Sequence, residues 1–344
     1  MYKCRTRWRT RCVAAMAYNS LIHFHHYNAL HAHRTLLFAG HTLKLVTIAC
    51  LLAGATCWNA AAQGLGAPGE RPAYTTADCA RLEAATPAPQ SGADRPLLAS
   101  LPPLASAQAA RLRGAVGADV LWWLRTQGEI NLSTVPTAYH EANHAIDVAL
   151  AACHGGRAVY VFDGKTYVTE LVRGTTAPYV VAAAAVPPAI KAGAAVRYQT
   201  YLVRTPKVPA NDFTTLLDEF NAYVGAAAIE LELVKSPLYA RFRAEGNAAL
   251  DGNVGGAADM MLYVLSYLKV VRTSYPDSYE KIRNSPLLLA HLQRLWTASE
   301  AMLKNAAPHG SEKGGLYVYP IAALVAVDSP AFIGELDRLK IRHR

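Results

Sequence analysis

Hydrophobic residues recur with helical spacing over most of the chain beyond residue 105. The spacing predicts a helix after Ser329 and five longer ones before it, at 106–124, 137–152, 213–234, 257–273 and 278–304. Ser106 is a suitable N-cap for the first of them, and Gly155-Gly156 after the second suits a left-handed C-terminal cap. This part of the chain is therefore expected to be mainly helical.

The pattern changes to a period of two between the second and third of these helices. Alternation over residues 158–162 and 167–169 flanks Asp163-Gly164, a dipeptide that accepts the positive φ angles of a tight hairpin turn. Residues 195–203 indicate one more strand. The expected fold class is α+β, mainly α-helical, with a small sheet between two long helices.

The domain organisation follows from where this periodicity begins. Residues 63–105 are rich in Ala, Pro and Gly and show little periodic hydrophobicity, so we expect a tether or a loosely packed lead-in there. Residues 106–344 contain neither an internal repeat nor a linker of domain-separating length. We expect them to form a single domain.

Residues 1–62 are typical of an export leader. An apolar run, Leu45–Ala55, is followed by small residues up to Ala62, which is the pattern that a signal peptidase recognises. The run is too short to span a bilayer comfortably. We expect cleavage near Ala62, a periplasmic or secreted location, and no transmembrane helix in the mature chain. A lipid anchor on Cys50 or Cys57 is the alternative.

The net charge of +9 comes mostly from this leader. Residues 1–62 hold seven of the 34 Lys and Arg and no Asp or Glu, which leaves 27 basic against 25 acidic residues in the remainder. The mature chain is therefore not expected to bind nucleic acid. The basic, His-rich residues before His41 are long for a leader, and a translation start near His41 would explain them.

Two of the six cysteines, Cys79 and Cys153, lie outside the leader. An even number of cysteines in an exported protein favours a disulfide, so we expect these two to be joined. Two unpaired thiols are the alternative, since the sequence does not fix the distance between them.

Residues 140–144 read His-Glu-Ala-Asn-His and fall within the predicted helix 137–152. Positions four apart on a helix lie on one face, so the imidazoles of His140 and His144 can reach a single ion. Glu141 beside them can accept a proton from water that the ion polarises. Two structural histidines without a metal are the alternative.

A catalytic zinc takes three protein ligands, so a third must come from elsewhere in the chain. In the predicted helix 213–234, Glu219 falls at the edge of the hydrophobic stripe, whereas Asp218 falls on the opposite side and is expected to face solvent. The helical geometry therefore favours Glu219 as the third ligand. Glu230 lies on nearly the same side and is the alternative.

Asp147 follows His144 by three residues on the same face of its helix. A carboxylate there can accept the second ring N–H of a ligand histidine and so fix its tautomer. We expect Asp147 to have this role. A salt bridge or a solvated side chain is the alternative.

These residues make two motifs: His-Glu-x-x-His-x-x-Asp at 140–147 and Glu-Phe-x-Ala at 219–222. Together they resemble the Glu-liganded zincins, the group that includes the catalytic domain of anthrax lethal factor and the Mlc titration factor peptidases. The resemblance implies a zincin-like fold, Zn²⁺ bound by His140, His144 and Glu219, and Glu141 as general base.

The expected function is that of an exported zinc-dependent peptidase acting on protein or peptide. Zincins of this group also use a tyrosine to stabilise the oxyanion, and Tyr201, Tyr223, Tyr317 and Tyr319 remain open for that role. The alternatives are a helical envelope protein that binds metal or a partner without turnover, and a helical protein without metal.

Overall fold

The structure is a computed structural model. It describes residues 74–84, 106–116, 134–193, 197–234, 252–309 and 318–343. All of these belong to the second of the two units into which the chain divides, Pro72–Arg344. The predicted leader, most of the predicted tether, residues 117–124 of the first predicted helix, and Tyr317 lie outside the described residues.

The described residues form ten α-helices and one hairpin. The helices are α1 (Thr76–Glu83), α2 (Ala107–Val116), α3 (Thr134–Cys153), α4 (Pro188–Gly193), α5 (Phe213–Val234), α6 (Asn253–Ser274), α7 (Pro276–Arg283), α8 (Pro286–Ala306), α9 (Val318–Val327) and α10 (Pro330–Arg338). The strands, which come between α3 and α4, are β1 (Arg157–Phe162) and β2 (Lys165–Val172). The prediction of an α+β, mainly α-helical fold with a small sheet between two long helices is confirmed.

Helices α5 and α6 form the centre of the core. Helix α5 contacts α3, β1, α6 and α8, and its side chains are buried around nearly its whole circumference. Helix α6 has a mean hydropathy of 1.3 over 18 residues, enough for a membrane span by length and composition, but 89% of that window is buried inside the protein. That burial is what a central core helix requires.

The hairpin follows directly after α3 and has the predicted turn. Asp163 and Gly164 have φ angles of 47° and 74°, the left-handed values that an Asp-Gly turn accepts. Strands β1 and β2 pair in antiparallel fashion, with Phe162 opposite Lys165. Strand β1 packs on α3 and α5, and β2 packs on α8, so the hairpin lies against both helices that carry the candidate ligands.

The prediction of a strand over residues 195–203 is wrong for the part that the structure describes, residues 197–203. Tyr198–Val203 forms one π-helical turn, and the three consecutive side chains of Thr200, Tyr201 and Leu202 are buried. A strand on a sheet surface would bury alternate side chains, so tertiary contacts override the strand preference of these aromatic and β-branched residues.

The prediction of one helix over 278–304 is also wrong. The chain forms α7 and α8 there, and the break lies at Asn284 and Ser285, directly before Pro286. Proline cannot donate its backbone N–H and disfavours helical geometry in the preceding residue. The new helix accordingly begins at Pro286.

Helix α1 lies within the segment predicted to be a tether. Its Thr75 N-cap and Asp78 form a capping box, which satisfies two backbone N–H groups at the start of the helix. A disulfide joins its Cys79 to Cys153 at the end of α3. His154 adds a side-chain hydrogen bond, with its Nε2 2.6 Å from the Glu83 carboxylate. At least this part of the segment is thus attached to the helix that carries the His-Glu-x-x-His motif.

Candidate metal centre

The first two candidate ligands come from adjacent turns of α3. The Nε2 atoms of His140 and His144 lie 3.1 Å apart, and the two rings meet edge to face with centroids 4.7 Å apart. The helix extends from Thr134 to Cys153, so the motif sits near its middle, where the backbone is held by hydrogen bonds on both sides. The spacing of four residues thus brings both imidazoles to one point.

The third candidate ligand comes from α5, which packs against α3. Glu219 Oε2 lies 3.3 Å from Nε2 of His144 and 3.6 Å from Nε2 of His140. Among the described residues, this is the group of His, Cys, Asp and Glu side chains whose ligand atoms converge closely enough to hold one ion. The structure thus brings together the three residues that the sequence indicated.

The spacing of these atoms fits a tetrahedral cation. Ligand atoms about 2.0–2.1 Å from a tetrahedral zinc ion lie about 3.3–3.4 Å from each other. The three observed separations of 3.1, 3.3 and 3.6 Å lie around that value. Two imidazoles and one carboxylate are also a donor set typical of catalytic zinc, and they leave a fourth position for another ligand.

The site is nearly enclosed. The side chains of His140, Glu219 and His144 are 7%, 8% and 11% exposed. Low exposure strengthens electrostatic interactions within the site, because little water screens them. Glu219 Oε2 itself is fully buried.

Glu141, the predicted general base, lies within the same buried cluster. Its Oε2 atom is buried and makes no hydrogen bond to the residues that the structure describes. Burial raises the pKa of its carboxyl group to about 8. A carboxyl group with an oxygen that has no partner among the described residues is suited to exchanging a proton with water or, in its ionised form, to binding a cation.

The carboxylate that contacts a ligand histidine is Asp218, not the predicted Asp147. Asp218 Oδ2 lies 3.2 Å from Nδ1 of His144, and Asp218 is buried, so the prediction that it faces solvent is wrong. The prediction treated α5 as having one solvent side, whereas α3 covers the side on which Asp218 lies. Burial alone would raise the pKa of Asp218, but the His144 ring and Arg173 more than offset it and leave that pKa below its usual value.

Asp147 lies one layer further from the ligands. It accepts hydrogen bonds from the side chains of Asn143 and Asn221, at 2.9 and 3.1 Å, and from the backbone N–H of Val161 at 2.7 Å. Burial and the neighbouring Asp218 raise its pKa well above the usual value. Asp147 therefore connects α3, α5 and β1 rather than holding a histidine directly.

The same network occupies part of the edge of β1 that faces away from β2. Besides the Val161 N–H, the Val161 carbonyl accepts hydrogen bonds from Gln108 and Asn221, both at 3.0 Å. A peptide strand could pair with the backbone at this residue only by displacing these side chains. Val161 is therefore closed to strand addition.

Two tyrosines complete the described surroundings of the ligands. The Tyr223 ring packs edge-on against His140 with centroids 4.5 Å apart, and its hydroxyl lies 2.9 Å from that of Tyr201. Burial raises the pKa of both hydroxyls, and the Glu219 charge adds to the effect, so both keep their protons. The tyrosine predicted upstream of Glu219 and the one downstream of it thus lie together.

Gly256 on α6 makes room for the Tyr223 ring. A Cβ atom at this position would lie 2.2 Å from ring carbons Cδ1 and Cε1 of Tyr223. We expect Gly256→Ala to displace the ring and to lower the free energy of unfolding by about 1–3 kcal/mol, a typical cost of overpacking a core. Denaturant unfolding measures this.

The matched control for this prediction is the same substitution in a Tyr223→Ala background, where no ring remains to clash. The substitution should cost much less there. An equal loss of stability in both backgrounds would show that the Tyr223 ring is not what limits the size of residue 256.

Glu230, the alternative third ligand, has a structural role instead. Its carboxylate accepts hydrogen bonds from the backbone N–H groups of Asn253 and Val254, both at 3.2 Å. These are the first residues of α6, whose N–H groups have no partner within the helix. Glu230 thus caps α6 and lies apart from the candidate ligands.

Sequence reasoning missed Asp218 and Gly256 as residues of the site. The sequence did contain a signal for Asp218. The side of α5 opposite its main apolar stripe is also apolar, as expected of a helix that is buried on all sides. No local signal marked Gly256, because its role depends on an aromatic ring from another helix.

Comparison with known proteins adds no family or fold assignment: no family matches the sequence, and neither a curated protein nor a solved structure matches the chain. The geometry of the site is therefore what indicates the function of this protein. The resemblance to the Glu-liganded zincins stays a prediction based on two motifs.

Proposed function

We propose that this protein is a zinc-dependent peptidase of the Glu-liganded zincin type. The observation that supports the proposal best is the convergence of His140, His144 and Glu219, whose ligand atoms lie 3.1–3.6 Å apart. These residues would hold the ion. Its substrate would be a protein or a peptide.

When bound by three protein ligands, zinc supplies Lewis acidity that makes water a nucleophile near neutral pH. Glu141 would accept the proton that the water loses on attacking a peptide carbonyl, and would later deliver it to the leaving amine. Its buried Oε2 supports this role, because that oxygen has no hydrogen-bond partner among the described residues and is free to exchange a proton.

The paired hydroxyls of Tyr201 and Tyr223 would supply the electrophilic part of the mechanism. One hydroxyl can donate its hydrogen to the other. The hydrogen of the accepting hydroxyl is then available to the carbonyl oxygen of the substrate, on which negative charge develops. The contact between Tyr223 and His140 supports this assignment, because it places the pair beside the ligands. The side chains of Tyr317 and Tyr319, the other two tyrosines considered, lie outside the part of the chain that the structure describes.

We further propose that the protein works outside the cytoplasm. The disulfide between Cys79 and Cys153 supports an oxidising compartment, because structural disulfides are rare in reducing ones. The apolar run and small residues of the leader support export by a signal peptide.

A structural metal site is the second candidate. The burial of the three ligand side chains favours it, because structural zinc sites are closed, and Glu141 is available as a fourth ligand. The two candidates differ in what Glu141 does. If Glu141 is the general base, it is needed for turnover but not for binding the metal ion. If it is a ligand, it is needed for binding the ion.

Metal removal tests the proposed activity. The purified protein should hydrolyse members of a peptide library, lose this activity on treatment with a zinc chelator, and regain it when zinc is restored. A control with the chelator already saturated by zinc should leave the activity intact. Hydrolysis that persists after complete removal of the metal, or no hydrolysis by the zinc-loaded protein, contradicts the proposal.

A further inference from the structure

Two consecutive carboxylates on α5 face opposite nitrogens of one imidazole ring. Glu219 Oε2 lies 3.3 Å from Nε2 of His144, and Asp218 Oδ2 lies 3.2 Å from Nδ1. In neutral imidazole one nitrogen carries the hydrogen and the other a lone pair. A carboxylate at Nδ1 can only accept, so it selects the tautomer whose lone pair is on Nε2, the atom that faces Glu219 and His140.

Asp218 is itself held in a defined place. Arg173 Nη2 lies 3.9 Å from Asp218 Oδ2, and both Nε and Nη2 of Arg173 are buried without a hydrogen bond to the described residues. Asp147 contacts the Asp218 carboxyl group as well. The charge of Asp218 thus faces the Arg173 guanidinium, and its position is fixed by the network that joins α3 to α5.

The ring of His140 is held in place differently. Its Nδ1 atom is buried and makes no hydrogen bond to the residues that the structure describes, and its ring instead packs against Tyr223. Of the two candidate histidine ligands, His144 is therefore the one whose orientation and tautomer are set by a carboxylate.

We infer that Asp218 is a positioning residue of the metal centre. It accepts the Nδ1 hydrogen of His144, holds the ring in its observed orientation and presents Nε2 to the cation. The residue that orients His144 is therefore the one directly before the third ligand, not Asp147. This inference rests on the proposed metal-dependent function.

Zinc affinity of the purified protein, measured by competition with a chelator, tests the inference. Loss of a carboxylate that orients a metal-ligating histidine typically costs about 10–100-fold in affinity, and we expect this for Asp218→Ala. Asp218→Asn should fall between that variant and the wild type, because an amide oxygen accepts more weakly and the amide can also present its NH₂ group.

Asp212→Asn is the matched control. Asp212 is another buried carboxylate, just before the start of the same helix, and it accepts hydrogen bonds from Gly174, Thr176 and Thr214 without touching a candidate ligand. This variant should lose stability but keep the zinc affinity of the wild type. A purely structural role for Asp218 would make the Asp218 and Asp212 variants behave alike.

The outcomes separate this inference from the proposed function. If the wild type binds no zinc, both are refuted. If the wild type binds zinc and hydrolyses peptides while folded Asp218→Ala binds zinc as tightly, only the inference is overturned. Should Asp218→Ala fail to fold, Asp218→Asn decides, and an affinity equal to the wild type overturns the inference.

Discussion

Glu141→Gln is expected to abolish peptide hydrolysis while leaving zinc bound. Gln has the size and shape of Glu but cannot accept the proton of the attacking water, and loss of a general base typically lowers turnover by a factor of about 10²–10⁴. Zinc content should stay at the wild-type level because the ion is held by His140, His144 and Glu219. Turnover and zinc content are to be measured on the same preparation.

The two possible failures of this prediction have different meanings. Equal turnover in Glu141→Gln and the wild type would contradict the role of Glu141 as general base. Loss of zinc together with activity would show that Glu141 is a fourth ligand, as the structural-site candidate requires. Asp212→Asn, a change to a buried carboxylate that touches no candidate ligand, should leave turnover much closer to that of the wild type.

Removal of any one ligand is expected to weaken zinc binding severely. Structural zinc sites with four protein ligands bind zinc with a free energy of about 10–16 kcal/mol. Divided equally, this corresponds to a loss of affinity of about 10²–10³-fold for each ligand removed. We expect this from His140→Ala, His144→Ala and Glu219→Gln. Equilibrium competition with a chelator measures it.

The controls use side chains of the same kind from the same core. Glu230→Gln alters another buried glutamate of α5, and His291→Phe alters a fully buried histidine that stacks on Tyr160, with centroids 4.4 Å apart. Both should keep wild-type affinity for zinc. Loss of binding in these variants as large as in the ligand variants would mean that general destabilisation, not ligand loss, explains the result.

The motif helix could be predicted because the relevant information is local. The spacing of His140 and His144 places them on one helical face whatever surrounds them, and the Asp-Gly turn sets the hairpin by its own backbone preferences. Helix α5 was predicted with its observed bounds for the same reason, since its apolar pattern is long and uninterrupted. The direction of Glu219 follows from the period of that helix.

The surroundings of the ligands could not be predicted because they depend on contacts between distant segments. Asp218 was expected to face solvent, since a helical wheel shows which residues share a face but not how many faces are covered. The turn at Tyr198–Val203 takes its shape from packing that buries consecutive side chains. The assignment of Asp147 failed similarly, because β1 and α5 offer it better hydrogen-bond donors than His144 does.

The central claim is that one zinc ion binds between α3 and α5, and anomalous diffraction at the zinc absorption edge tests it most directly. In crystals of the zinc-loaded protein we predict a single strong peak within about 2.0–2.2 Å of Nε2 of His140, Nε2 of His144 and a carboxylate oxygen of Glu219. Absence of a peak at these three atoms, with zinc in excess, would contradict the account.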